Sequence, residues 1–79
     1  MKKIELKFTS VSDAYEFANR LEESSRDNFV LVDESGHKTA DPKTHMGIIY
    51  ALSEFDKLYL INSTNDGEFP SFILGDNKI

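Results

Sequence analysis

The chain has 79 residues, no cysteine and a formal charge of −5 at pH 7, with 39% hydrophobic and 29% charged residues. That is the balance of one folded domain spanning residues 1–79, not of a disordered chain. It excludes a disulfide framework and a cysteine-based zinc site, and its acidic surplus argues against nucleic acid as a partner, which needs a basic face.

Ile4, Leu6 and Phe8 alternate with Glu5 and Lys7, the pattern of a half-buried strand. Ser10 and Ser12 then offer capping oxygens, with Asp13 and Glu16 early enough to suit the positive end of a helix. Ala14, Phe17, Ala18 and Leu21 follow at helical spacing, so a first helix is expected over Val11 to Ser24. Phe29 to Val32 is an apolar, β-rich run, closed by the turn composition Asp33-Glu34-Ser35-Gly36. His37 to Ala40 reads as the returning strand of a hairpin. Asp41 is placed to cap a second helix and Pro42 to occupy its first position. That helix carries Met46, Ile49 and Leu52 as its inward stripe, with Ile48 and Phe55 flanking. It ends near Phe55 or Asp56. Leu58 to Ile61 is a fourth strand, Asn62 to Gly67 is rich in turn residues, and Phe69 to Gly75 allows only a short terminal helix.

The order β-α-β-β-α-β with a short C-terminal element implies an α+β fold: a four-stranded, mostly antiparallel sheet with two helices on one face and a curtailed third. Ala14, Ala18, Leu21, Ile49 and Leu52 are its expected core. After Lys2 and Lys3 apolar and charged residues alternate, so no apolar core of a signal peptide is expected there, and no apolar run approaches the ~18 residues of a spanning helix. A cytoplasmic protein without membrane insertion is therefore expected.

The stretch Glu34-Ser35-Gly36-His37-Lys38-Thr39-Ala40-Asp41-Pro42-Lys43-Thr44-His45-Met46-Gly47-Ile48-Ile49 resembles HPr, the small histidine phosphocarrier of the bacterial sugar phosphotransferase system. Lys43-Thr44 stands where that family has Lys-Ser, and Met46-Gly47-Ile48-Ile49 where it has Met/Leu-Gly-Val-Met/Leu. With the element order, the resemblance covers about Lys3 to Asn62 and implies an open-faced sandwich of HPr-like topology. It also implies that the start of the first helix and the exposed side of the second form one docking surface, to which His45 and Met46 would belong.

The departures bear on function. The family's phosphoacceptor lies in a Gly-Leu-His-x-Arg-Pro loop, where this chain has Thr9-Ser10-Val11-Ser12-Asp13-Ala14. Ser10 falls near the histidine position, Ser12 near the arginine and Asp13 near the proline. No imidazole or guanidinium is present in that stretch, and Asp13 adds negative charge where phosphate would sit. A serine without a general base is a poor acceptor from a phosphohistidine donor, so the relay chemistry is expected to be lost.

What the resemblance implies is thus a regulatory or protein-binding module with an unidentified protein partner. The alternative is a phosphocarrier-type component using a non-standard site, for which His37 and His45 are the imidazoles on offer. Thr44 stands where relatives carry a regulatory phosphoserine, at a helix start that tolerates phosphate; structural capping is its first expected role and regulation its second. The carboxylates Glu22, Glu23, Asp33 and Glu34 fit no calcium-loop or acid–base pattern. Without a nucleophile–base pair, metal set or phosphate loop, neither enzyme activity nor a cofactor is expected. A homodimer is compatible with the short C-terminal element, which covers less of the sheet.

Overall fold

The computed structural model describes residues 2–65 and 68–76, and of 74–76 the backbone alone. The elements run β1 (Ile4–Leu6), α1 (Val11–Ser24), β2 (Phe29–Val32), β3 (Thr39–Ala40), α2 (His45–Glu54), β4 (Leu58–Asn62) and α3 (Ser71–Asp76). The four strands form one antiparallel sheet in the order β1-β4-β2-β3. Ile4 stands opposite Leu60 and Leu6 opposite Leu58, while Phe29 pairs with Asn62 and Leu31 with Leu60. Because side chains alternate along a strand, this register collects these residues on one face. There they join Ala14, Ala18 and Leu21 of α1, Ile48 and Ala51 of α2, Phe55, and Ile73 of α3 in the core. The other face carries Glu5, Val30, Val32, Tyr59 and Ile61, with the Lys3 ammonium 4.4 Å from the centre of the Tyr59 ring. No helix among the described residues is long and apolar enough to cross a membrane.

The first helix and its core positions follow the sequence pattern to the residue. The β2–β3 connection does not. Residues 33–38 close a loop, and only Thr39 and Ala40 return as strand rather than the whole of His37 to Ala40. The reason lies in Asp33. Its carboxylate accepts from the Ser35 hydroxyl and the Lys38 N–H, its N–H donates to the Lys38 carbonyl, and Gly36 turns through φ 82° to complete the bend.

The second helix departs in two ways. It begins at His45 with Thr44 as its cap, not at Asp41-Pro42. Pro42 is instead fully buried, and Asp41 folds back, its carboxylate accepting from Lys43 N–H and its carbonyl from both the Thr44 N–H and hydroxyl. The inward stripe is Ile48 and Ala51, followed by Phe55, while Ile49 is 48% exposed and Leu52 is only half-buried. Gly47 explains part of this rotation. A Cβ there would press into the backbone carbonyl of Asp41 and come within 2.8 Å of Thr44 Oγ1, so the Asp41-Pro42 loop lies directly on the helix's first turn at that position.

A polar lock closes the end of the sheet where β4 finishes and β2 begins. Asn62, 1% exposed, donates through its amide to Asp27 Oδ2 (3.0 Å) and the Glu68 carbonyl (2.7 Å), and accepts from the N–H groups of Thr64 and Asn65. Lys43 Nζ donates to the carbonyls of Ser25 (2.8 Å) and Asp27 (3.0 Å) and lies over the Phe29 ring. The lock joins the α1–β2 loop, the start of α2 and the loop after β4. Among the described residues no buried side-chain nitrogen or oxygen lacks a partner.

Candidate functional site

Ser10 caps α1, its Oγ accepting from the Asp13 N–H at 3.1 Å while its carbonyl takes the Ala14 N–H. Asp13 in the first turn accepts from the Thr9 hydroxyl. Ser10 and Asp13 therefore spend their side chains on closing the helix start. Ser12 stands exposed on that same first turn. At α2, Thr44 Oγ1 accepts from the Gly47 N–H at 3.0 Å and donates to the Asp41 carbonyl at 3.3 Å. Its place as a cap is thus occupied in both directions.

The two helix starts meet through Tyr15 and His45, whose rings stack with centroids 4.3 Å apart and planes 25° from parallel. His37 stands apart, exposed in the β2–β3 loop. Around the stacked pair lie the large exposed hydrophobics among the described residues: Val11 at 50%, Met46 at 81%, Ile49 at 48% and Tyr50 at 44%. Helical spacing makes them neighbours. Val11 lies one turn before Tyr15, Ile49 one turn after His45, and Tyr50 one turn after Met46. Tyr50 also meets Phe55 edge to face at 5.6 Å. One apolar surface thus runs from the first turn of α1 across the aromatic stack and along the outer side of α2.

Of the sequence-expected residues, Thr44, His45 and Met46 fall at one edge of this surface; Ser10, Ser12 and Asp13 belong to the neighbouring helix start. Val11, Tyr15, Ile49 and Tyr50 escaped the sequence reading. A signal for two of these positions, Ile49 and Tyr50, was present. From Met46 to Leu52 the helix has no charged residue on any side, and a short domain cannot bury an all-round apolar helix. Apolar side chains had to be left in water on one side.

The two carboxylates with displaced titration lie elsewhere. Asp27 is held below its ordinary value chiefly by the amide of Asn62, then by that of Asn65, with the Lys43 charge adding to the effect. Desolvation pushes Asp33 up, but the N–H of Lys38, the Ser35 hydroxyl and the N–H groups of Gly36 and His37 outweigh it and leave the pKa lowered. Both are explained by the local hydrogen bonds just described. Among the described residues no group of three or more His, Cys, Asp or Glu is arranged to hold a metal ion. Comparison with protein-family models, with curated proteins and with solved structures yields no match.

Proposed function

We propose that this chain is an HPr-like regulatory or protein-binding module that docks a protein partner through the apolar surface of Val11, Tyr15, His45, Met46, Ile49 and Tyr50, without histidine phosphocarrier activity. The observation that carries the reading is Met46. An 81% exposed methionine on a capped, packed helix, flanked by half-exposed Ile49 and Tyr50, is what a binding face requires and what a solvated helix face avoids. Support for the HPr-like topology is the element order, with an antiparallel four-stranded sheet and the helices gathered on its core face. Support for the loss of relay chemistry is the use of Ser10 as a cap, beside an Asp13 carboxylate already bonded to Thr9. A hydroxyl so placed has no free base to take its proton.

Two measurements test this reading. Incubated with enzyme I and phosphoenolpyruvate, the protein should take up no acid-labile phosphate; such phosphate on His45 or His37 would overturn the negative half. In cross-linking within its native cells, a partner should be recovered with the wild type and lost with Met46→Glu and Ile49→Glu. Recovery of the same partner by both variants would overturn the docking half. Thr44 enters as a cap in this reading, and a phosphoryl group mapped to it by intact-mass analysis of the native protein would move it into regulation.

A further inference from the structure

Strand β1 is an edge of the sheet: β4 pairs with one side of it, and among the described residues no strand pairs with the other. Residues 5–8 line a cleft of about 260 Å³ together with Asp13, Glu16, Phe17 and Arg20 of α1 and with Phe72. Ile4 and Leu6 of β1, and Phe8 just beyond its end, are only half-buried, although they are the apolar side of this segment. Glu5 and Lys7 are exposed, and among the described residues neither has an ion-pair partner. The Phe8 ring lies 5.4 Å from that of Phe17, and Phe17 lies 5.9 Å from Phe72, so an aromatic row lies beside the end of this edge.

We propose that this edge pairs with a second copy of the chain, residues 4–8 against residues 4–8, antiparallel about a two-fold axis at Leu6, so that the pairing extends β1 by Lys7 and Phe8. In that register Leu6 faces Leu6 of the second copy, Glu5 faces its Lys7, Lys7 faces its Glu5, and Ile4 faces its Phe8. Both ion pairs lie on the open face of the sheet. The apolar pairs lie on the core face, where the aliphatic side chain of Ile4 extends the partner's aromatic row. Opposite charges directly across an antiparallel pair attract, and like charges repel.

Neighbouring registers match less well. An axis at Glu5 sets Glu5 against Glu5 and Lys3 against Lys7. An axis at Lys7 sets two lysines together. An axis at Ile4 also sets Lys3 against Glu5, but it places Lys2 against Leu6 on the core face and leaves Lys7 and Phe8 outside the pairing. A slip by a single residue exchanges the faces altogether. Lysine on an edge strand ordinarily keeps a second strand away. Here the glutamate two positions before Lys7 makes the edge self-complementary, so the charges that repel other strands select this one. The isologous contact closes on itself and continues two four-stranded sheets into one of eight strands.

The test is sedimentation equilibrium across a wide concentration range. The wild type should dimerise, and more weakly as salt rises. Glu5→Lys and Lys7→Glu should each weaken the dimer about tenfold or more, since the two-fold axis turns both ion pairs into like-charge pairs. The double variant carrying both changes should regain wild-type association. These positions are exposed, so circular dichroism of each variant should be unchanged. A wild type that remains monomeric at every concentration would overturn the proposal. So would a dimer insensitive to the single reversals, or one lost in Met46→Glu instead.

Discussion

Replacing Gly47 by alanine sets local helix preference against the packing of this fold. In a solvated helix interior the change should stabilise by about 0.8–1.0 kcal/mol. Gly47 lies in the first turn of α2, where its N–H donates to Thr44 Oγ1 and the Asp41 carbonyl sits over its Cα. A methyl group there cannot be met by a side-chain rotation, because the obstructing atom is backbone. The Asp41-Pro42 loop must lift, and with it go the bonds that Thr44 makes to the Asp41 carbonyl and the buried seat of Pro42. Overpacking against fixed structure costs about 1–3 kcal/mol, occasionally more, and the lost cap bonds add to it. The net expectation is a destabilisation of about 2 kcal/mol, opposite in sign to the helix scale, which for a domain of this size lowers Tm by about 8–16 °C. Thermal and urea melts of the two proteins decide it. A Gly47→Ala protein melting at or above the wild type would refute the reasoning and mean that the loop does not lie on the helix as described.

Three further expectations follow from the same bonds. Thr44→Ala should cost about 1 kcal/mol in urea unfolding, with Thr44→Ser restoring most of it; equal stability of all three proteins would remove the cap. Lys43→Met keeps the stem over Phe29 but leaves the Ser25 and Asp27 carbonyls without their charged donor, so a loss of about 2–3 kcal/mol is expected. Unfolding within a few tenths of a kcal/mol of the wild type would contradict it. Asp27 has its folded pKa depressed below the ordinary 3.8, so its stabilisation is complete above that value and disappears as pH falls through the folded pKa. Melts followed from pH 5 downward should therefore show a steeper acid limb for the wild type than for Asp27→Asn, and identical limbs would exclude the Asn62–Asp27 bond as a source of acid sensitivity.

The sequence disclosed those parts of the fold that rest on local periodicity with a single solution. In α1 the apolar positions, the polar flank and the capping serine all agree, and element and core emerge together. The β2 run likewise admits one reading. In α2 periodicity is degenerate. Met46, Ile48, Ile49, Ala51 and Leu52 supply two overlapping stripes, and choosing the larger residues selects the wrong one. The decision belongs to tertiary packing: Ala51 is small enough to lie fully buried beside Ile48, while Met46 is not. The cap was ambiguous for a related reason. Asp41, Pro42 and Thr44 are each good residues for a helix start, and only the burial of Pro42 and the bonds of Asp41 show which turn closes first. The hairpin was overextended because alternation says nothing of a carboxylate that gathers its own loop. The long-range lock of Lys43, Asp27 and Asn62 has no sequence signal at all, since its members are separated by 16 and 35 residues.

That lock bears on the proposed docking role. A surface of soft, exposed side chains binds with less entropy lost if its scaffold is already fixed. Lys43 stands just before the cap of α2 and ties it to the α1–β2 loop, while Asn62 ties that same loop to the end of β4. The Tyr15–His45 stack then joins the two helices at the surface itself. Met46, a side chain with several rotatable bonds, thus stands exposed on a helix start that is held from three sides. The resemblance supplied Lys43 as a position in a string. In the folded chain its ammonium ties the start of α2, the helix that carries Met46, Ile49 and Tyr50, to the α1–β2 loop. If the docking reading holds, Lys43→Met should weaken partner capture without touching the surface, while leaving the Leu6-centred edge, on the opposite side of the sheet order, free to associate as before.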